Sequence, residues 1–235
     1  MNRDPDDSPI GVLTSGGLDS CILVGHLLAT GHTVQPFYVQ AGLVWEAAEF
    51  AAVGRFLAAI ASPRLKPLVT LQLPVDDLYD GEHWSLSGRG VPDAKTPDEA
   101  VFLPGRNALL VLKAALWCQM RGVRRLALAP LGSSPFADAS PAFFSSLQAT
   151  LNCGGAPHLK IEHPFANSTK QDVMQLGTRL PLELTFSCID PRGELHCGSC
   201  NKCAERQQAF RCVGRLDLTV YAERTFDELP RPMTA

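Results

Sequence analysis

The sequence predicts an α/β fold: a parallel sheet with helices on both faces, plus a small cysteine-bearing segment near the C-terminus. Three observations carry that reading. Apolar runs of strand and helix character alternate from Ile10 to Leu73, a Gly- and Ser-rich turn closes the first run, and four cysteines gather between Cys188 and Cys203.

Ile10 to Leu13 reads as a short buried strand that feeds the turn Thr14-Ser15-Gly16-Gly17 and the first turn of a helix. From Ser20 to Thr30, Ile22, Leu23, Leu27 and Leu28 fall at helical spacing, and Gly31 is placed as a C-cap. Thr33 to Val39 is a second strand, and Trp45 to Ala61 a long helix with Pro63 just past its end. Leu68 to Leu73 is a third strand. Such alternation builds a parallel sheet, whose ligands bind beyond the carboxyl ends of the strands. The Ser-Gly-Gly turn sits at that edge.

Pro74 to Glu99 differs in kind, with Asp76, Asp77, Asp80, Glu82, Asp93, Asp98 and Glu99 among several Gly and Pro. Two readings stand for it, a functional lid and a solvated acidic loop. Phe102 to Asn107 opens a helix running to about Arg121, with Asn107 as its expected N-cap. Arg106 at that helix start opposes the dipole, which calls for an anion beside it. Arg125 to Ala129 is a strand, Leu131 to Ser140 a loop, and Pro141 to Leu151 a helix. After a strand fragment at Lys160 to His163, Ser168 or Thr169 caps another helix. Lys170 in its first turn either faces an anion or is an ordinary solvated lysine.

Composition narrows the function classes. At 235 residues with 46% hydrophobic and 19% charged content, the chain fits one folded α/β domain with a substantial core. A formal net charge of -3 gives no general attraction for nucleic acid or an anionic membrane. The start, Met1 to Asp7, is acidic and polar, unlike a secretory signal, and no apolar run is long enough to span a bilayer. The expectation is a cytoplasmic protein with no membrane partner. The six histidines show no metal-ligand spacing, and each reads as a surface or packed residue.

The turn has the makings of an anion site. Orphan N–H groups and the positive dipole end meet at a helix start, Gly16 and Gly17 allow close approach, and Ser15 and Ser20 offer hydroxyls. There is no Gly-Lys-Ser/Thr as in a Walker loop. Asp19 is out of place beside phosphates unless it caps the helix or faces Mg²⁺. Farther on, Cys188, Cys197, Cys200 and Cys203 have the spacing of a closed, structural zinc site, and Gly198 permits the sharp bend between them. An iron–sulfur cluster is the alternative occupant. Cys21 and Cys118 read as small buried hydrophobes, whereas Cys153 and Cys212 carry no assignment.

Ser15-Gly-Gly-Leu-Asp-Ser20 resembles the pyrophosphate loop of the ATP pyrophosphatase superfamily, whose members split ATP to AMP and pyrophosphate. Together with Pro104-Gly105-Arg106-Asn107, Ser168-Thr-Lys170 and Ser187-Cys188-Ile-Asp-Pro191 before the three-Cys run, the chain from Ile10 to Phe210 resembles the 7-cyano-7-deazaguanine synthase family. The resemblance implies a Rossmann-like (adenine nucleotide alpha hydrolase-like) fold and the co-substrates and ions ATP, Mg²⁺ and Zn²⁺. It divides the chain into a flexible N-terminus (1–9), an ATP-binding α/β domain (10–186), a four-Cys zinc segment with a helix (187–213) and a tail (214–235). It also implies roles. Leu13, Ser15, Gly16, Gly17, Leu18, Asp19, Ser20, Tyr38, Gly105, Arg106 and Asn107 would hold the nucleotide. Gln40, Ser134, Phe136, Asp138 and Lys170 would meet the acceptor, with Asp19, Arg106 and Lys170 as the catalytic set.

Two departures bear on the substrate. The family's Tyr-Gly-Gln-Arg-His segment is here Tyr38-Val39-Gln40-Ala41-Gly42, and its aromatic-Ser-Gly-Tyr-Pro-Asp-Cys-Arg run is here Ser133 to Ser140, keeping Phe136 and Asp138. The ATP half is intact and the acceptor half altered. The resulting expectation is an ATP-dependent C–N ligase acting on a small carboxylate, with ammonia or another amine, including one on a protein, as acceptor. A homodimer is expected by analogy, and nucleic acid is not the expected partner. A tRNA-modifying enzyme of the superfamily and a nucleotide-binding subunit without turnover are the other two readings.

Overall fold

The computed structural model describes residues 8–223; the expected N-terminal stretch 1–9 and tail 214–235 fall partly outside that range. Five strands form one parallel sheet: β1 (Ile10–Leu13), β2 (Val34–Gln40), β3 (Val69–Gln72), β4 (Arg125–Ala127) and β5 (Lys160–Glu162), in the order β3-β2-β1-β4-β5. The central strand, β1, pairs Ile10 with Val34 on one side and with Arg125 on the other. Winding reverses between β1 and β4, so the crevice beyond their carboxyl ends is where a ligand site forms in this architecture.

The helices are α1 (Leu18–Ala29), α2 (Glu46–Ala59), α3 (Trp84–Ser87), α4 (Arg106–Met120), α5 (Pro141–Cys153), α6 (Lys170–Leu176) and α7 (Asn201–Cys212). Alternating β1 side chains point to opposite faces. Ile10 and Val12 pack with Ile22 and Leu23 of α1, Val53 and Phe56 of α2, Val173 of α6 and Phe210 of α7. On the other face Phe37 and Leu126 pack with Val111 and Ala115 of α4 and Phe144 of α5. Fully burying one such side chain stabilises by roughly 1.5–3 kcal/mol, so both faces anchor the sheet between helix layers. Cys21 and Cys118 are buried within these layers, as their apolar neighbours predict.

A third apolar cluster joins Leu43, Trp45, Val75 and Leu103 to Phe186, Ile189 and the four clustered cysteines. The 74–100 stretch is therefore anchored on the cysteine segment. Ala94 N–H donates to the Ser199 carbonyl at 2.9 Å, and Asn201 N–H to the Pro92 carbonyl at 3.0 Å. The Asn201 side chain also donates to the Thr96 carbonyl at 2.9 Å.

The expected helix starts need one correction. The N-cap of α4 is Gly105, at φ 75, not Asn107. Asn107 lies inside the first turn, and its amide reaches across to Asp138 instead. The α6 start behaves as read: Thr169 accepts from Asp172 N–H while Asp172 accepts in return, a full capping box.

Candidate active site

The turn after β1 lines a cavity of about 410 Å³ at the carboxyl end of the sheet. Gly16 has φ +77, and a Cβ there would lie 3.1 Å from Glu49 and Val53 of α2, so the turn needs glycine at this point. Its carbonyl accepts from Phe186 N–H at 2.7 Å, tying the turn to the segment that leads into the cysteines. Gly17 caps α1 without a side-chain bond. Ser15 and Ser20 face each other with hydroxyl oxygens 3.2 Å apart, and the Ser20 oxygen also accepts Ser15 N–H.

Asp19 neither caps α1 nor stands alone. Lys170 Nζ donates to both of its oxygens, at 2.9 and 2.7 Å, and lies 3.4 Å from Glu205. The anion that Lys170 calls for is thus built into the protein, and the solvated reading does not hold. Burial works against the Lys170 ammonium, yet Asp19 and Glu205 hold it above its ordinary pKa. Burial raises Asp19, with Lys170 pulling the other way. Glu205 in turn accepts from Lys202 at 2.7 Å.

Arg106 also lines the cavity but finds no such partner: its Nε is buried without a hydrogen bond. Asp138 accepts from the Asn107 amide through Oδ1 at 3.1 Å, while its Oδ2 is buried and unpaired. Buried polar atoms are ordinarily satisfied, so two orphans on one cavity mark groups that a ligand would complete. Phe136 stacks on Phe102, with ring centroids 5.5 Å apart, and Trp84 stacks on Trp45 at 5.6 Å. All four rings line the cavity.

Of the other residues expected here, Leu13, Leu18, Tyr38, Asn107 and Ser134 line the cavity. Gly16 and Gly105 do not line it; they form the turn and the α4 cap next to lining residues. Gln40 is not brought in: it accepts the Gln72 amide on the neighbouring strand. Sequence reasoning passed over Trp45, Glu49, Trp84, Lys202, Glu205 and Arg206, which also line it. The only signal for them was spacing, since Trp45 and Glu49 are one turn apart on α2, and Lys202, Glu205 and Arg206 share a face of α7. Arg206, 1% exposed, donates to the Thr219 and Thr185 hydroxyls and the Leu182 carbonyl at 2.7–2.9 Å.

The four cysteines meet in a second, separate cluster, with all ligand sulfurs within 4.8 Å of one another. Cys188 and Cys200 sulfurs lie 3.9 Å apart, and those of Cys197 and Cys203 3.8 Å. A tetrahedral ion bound at Zn–S ≈ 2.3 Å needs sulfur–sulfur edges of about 3.8 Å, so the donor set fits zinc. A multi-iron cluster would hold its thiolates farther apart, and the iron–sulfur alternative is the poorer fit. Backbone N–H groups of Asp190 and Cys197 point at Cys188 Sγ, and that of Cys200 at Cys197 Sγ, at 3.2–3.3 Å, which suits thiolates. Gly198, at φ +96, makes the knuckle bend as expected.

A five-stranded parallel sheet with a glycine turn, paired charges and a closed four-thiol cluster defines a Rossmann-like α/β protein. The family described as Queuosine biosynthesis protein QueC matches residues 10–214, and the chain belongs to it. It is similar to the 7-cyano-7-deazaguanine synthase of Halobacterium salinarum, 29% identical over 225 residues, which cover 91% of this chain and 95% of the relative. The synthase of Porphyromonas gingivalis is 28% identical over 232 residues, covering 94% and 99%. Among solved structures, a predicted subunit of tRNA methyltransferase from Methanocaldococcus jannaschii has a TM-score of 0.47 at 15% identity, covering 73% of this chain and 74% of that one. Among the described residues, no helix is long and apolar enough to cross a membrane.

Proposed function

We propose that this chain is an ATP-dependent C–N ligase that adenylates 7-carboxy-7-deazaguanine or a related acid and passes it to ammonia or another amine. The observation that carries the reading is the orphaned Nε of Arg106, which shares one cavity with the Ser15–Ser20 turn and the Asp19–Lys170 pair. A carboxylate oxygen attacks the α-phosphorus of ATP, and the bond to the β-phosphate oxygen breaks to release pyrophosphate. The amine nitrogen then attacks the acyl carbon, AMP leaves with the C–O electron pair, and nitrogen loses a proton. Such chemistry needs positioning and charge neutralisation more than a protein nucleophile.

In this reading the N–H groups from Gly16 to Ser20 and the Arg106 guanidinium receive the phosphates. Asp19 offers the hard oxygen ligands that suit Mg²⁺, which when bound would neutralise phosphate charge. Phe102 and Phe136 supply a stacking face, and the free Oδ2 of Asp138 accepts a hydrogen bond from a planar acid. The names of the two relatives support a deazapurine as that acid. Zinc in the four-thiol cluster has a structural part only, since four thiolates leave no open position.

The test is direct. With ATP, MgCl₂ and 7-carboxy-7-deazaguanine, the purified protein should release AMP and pyrophosphate in proportion to acid consumed. Failure of every acid to support turnover would overturn the ligase reading; ATP binding without turnover would favour a non-catalytic subunit. Turnover only with tRNA would favour the tRNA-modifying reading.

A further inference from the structure

Four carboxylates line the cavity; two are engaged by lysines, and a third, Asp138, keeps one oxygen for the acid substrate. Asp19 is held by Lys170 through both oxygens, Glu205 lies between Lys170 and Lys202, and Asp138 is held by Asn107. Glu49 is the fourth. It sits on α2 against the glycine turn, its Cγ 3.1 Å from where a Gly16 Cβ would stand. Tyr38 donates its hydroxyl to Oε2 at 2.7 Å, which fixes the carboxylate by one oxygen and leaves Oε1 outside that bond.

The titratable groups facing Glu49 are Tyr38 from β2, Arg106 from α4, Cys21 from α1 and Glu46 on its own helix. Glu46 is itself occupied, accepting the N–H groups of Ala41 and Gly42. Burial raises the Glu49 carboxyl to about 7, against the pull of Arg106 and the Tyr38 hydrogen bond. A carboxylate poised near neutrality takes and gives protons at working pH, whereas an ordinary one is too weak a base.

We infer that Glu49 is the general base of the amine-transfer step, with Tyr38 as its positioning residue. This rests on the adenylation reading above. As the amine nitrogen forms its bond to the acyl carbon, the C–O bond to AMP breaks and AMP carries away that electron pair. The proton shed by nitrogen goes to a Glu49 oxygen. Glu49 lines the same cavity as the Asp19–Lys170–Glu205 chain but makes no ion pair with it, so its carboxylate is not neutralised by either lysine.

The experiment uses the full chain with ATP, MgCl₂, 7-carboxy-7-deazaguanine and ammonium chloride, at constant free ammonia across pH. Acid-dependent ATP–pyrophosphate exchange reports the first step and amide formation the second. Glu49→Gln keeps the shape and an acceptor for Tyr38. It should lower amide formation by about 10²–10⁴-fold, far more than exchange, and erase an inflection near pH 7 present in the native protein. Glu49→Asp should recover part of the rate together with the inflection. Equal losses in both steps, or a native pH profile in Glu49→Gln, would overturn the assignment and leave Glu49 a packing residue. Absence of exchange in the native protein with any acid would instead remove the adenylation reading, and this assignment with it.

Discussion

Lys170 donates to both oxygens of Asp19 although 151 positions separate them in sequence, joining the first turn of α6 to that of α1. Each residue is poorly placed by local rules, a cation at one helix start and a carboxylate beside a phosphate-type loop. Each is made tolerable by the other.

Removing both partners should therefore hurt less than the two single losses added together. Lys170→Met leaves a part-buried carboxylate unpaired, and Asp19→Asn leaves the ammonium with Glu205 alone. Each single change should cost about 1–2 kcal/mol in urea unfolding, and the double variant less than the sum. Asp19→Asn should also abolish acid-dependent AMP release, because it removes the carboxylate offered to Mg²⁺ at the turn. Unchanged AMP production would refute that role.

The two turn glycines should separate fold from ligand. Gly16→Ala places a Cβ at φ +77 against Glu49 and Val53, and should destabilise by roughly 1–3 kcal/mol, read as a lowered Tm. At Gly17, φ is -70 and the nearest atom to an added Cβ is the Ser15 hydroxyl at 3.6 Å. Gly17→Ala should keep the native Tm yet weaken ATP binding by calorimetry, as the methyl enters the space the phosphates need.

Stripping metal should act beyond the thiols. The 92–96 backbone is bonded to Ser199 and Asn201, so loss of a zinc-type ion should release it. Hydrogen exchange after chelation should quicken in 92–101 and 188–203, while β1, β4 and β5 stay protected. Uniform protection throughout would show that the thiol cluster holds without metal.

Glu49 should also leave a mark on stability. An acid whose folded pKa, about 7, exceeds its ordinary 4.5 is penalised when ionised. The penalty is absent below 4.5, grows between the two values, and is complete above pH 7. Glu49→Gln should thus raise Tm over the native protein at pH 8 by roughly 7–14 °C and leave it nearly unchanged at pH 4. Equal shifts at both pH values would point to packing instead.

Much of this was legible in the residues. Periodicity located all five strands and the long helices, because β1 and its neighbours are buried on both faces and the helices carry apolar stripes. Spacing alone brought the four cysteines together. What stayed hidden depends on contacts between distant segments. Asn107 looked like a cap, but Gly105 takes the left-handed cap position and frees the amide for Asp138. Lys170 looked like a residue awaiting a ligand because its partner lay far back in the chain. Glu49 and Arg206 sit inside ordinary helical stretches, where nothing in residue type distinguishes a cavity-lining charge from a surface one. Gln40 follows a strand pattern correctly, yet the pleat and its pairing with Gln72 keep it out of the cavity.

A last consequence belongs to α7. Cys203 and Cys200 anchor its beginning, and within two turns the same rod presents Lys202, Glu205 and the enclosed Arg206 to the opposite side. Seating an ion at the helix start therefore sets the rotation of the whole cylinder, and with it the height and tilt of three charges in the same first two turns. Ligand exchange at the knuckle, cysteine for histidine for instance, would be felt as a change in nucleotide affinity rather than as a local scar.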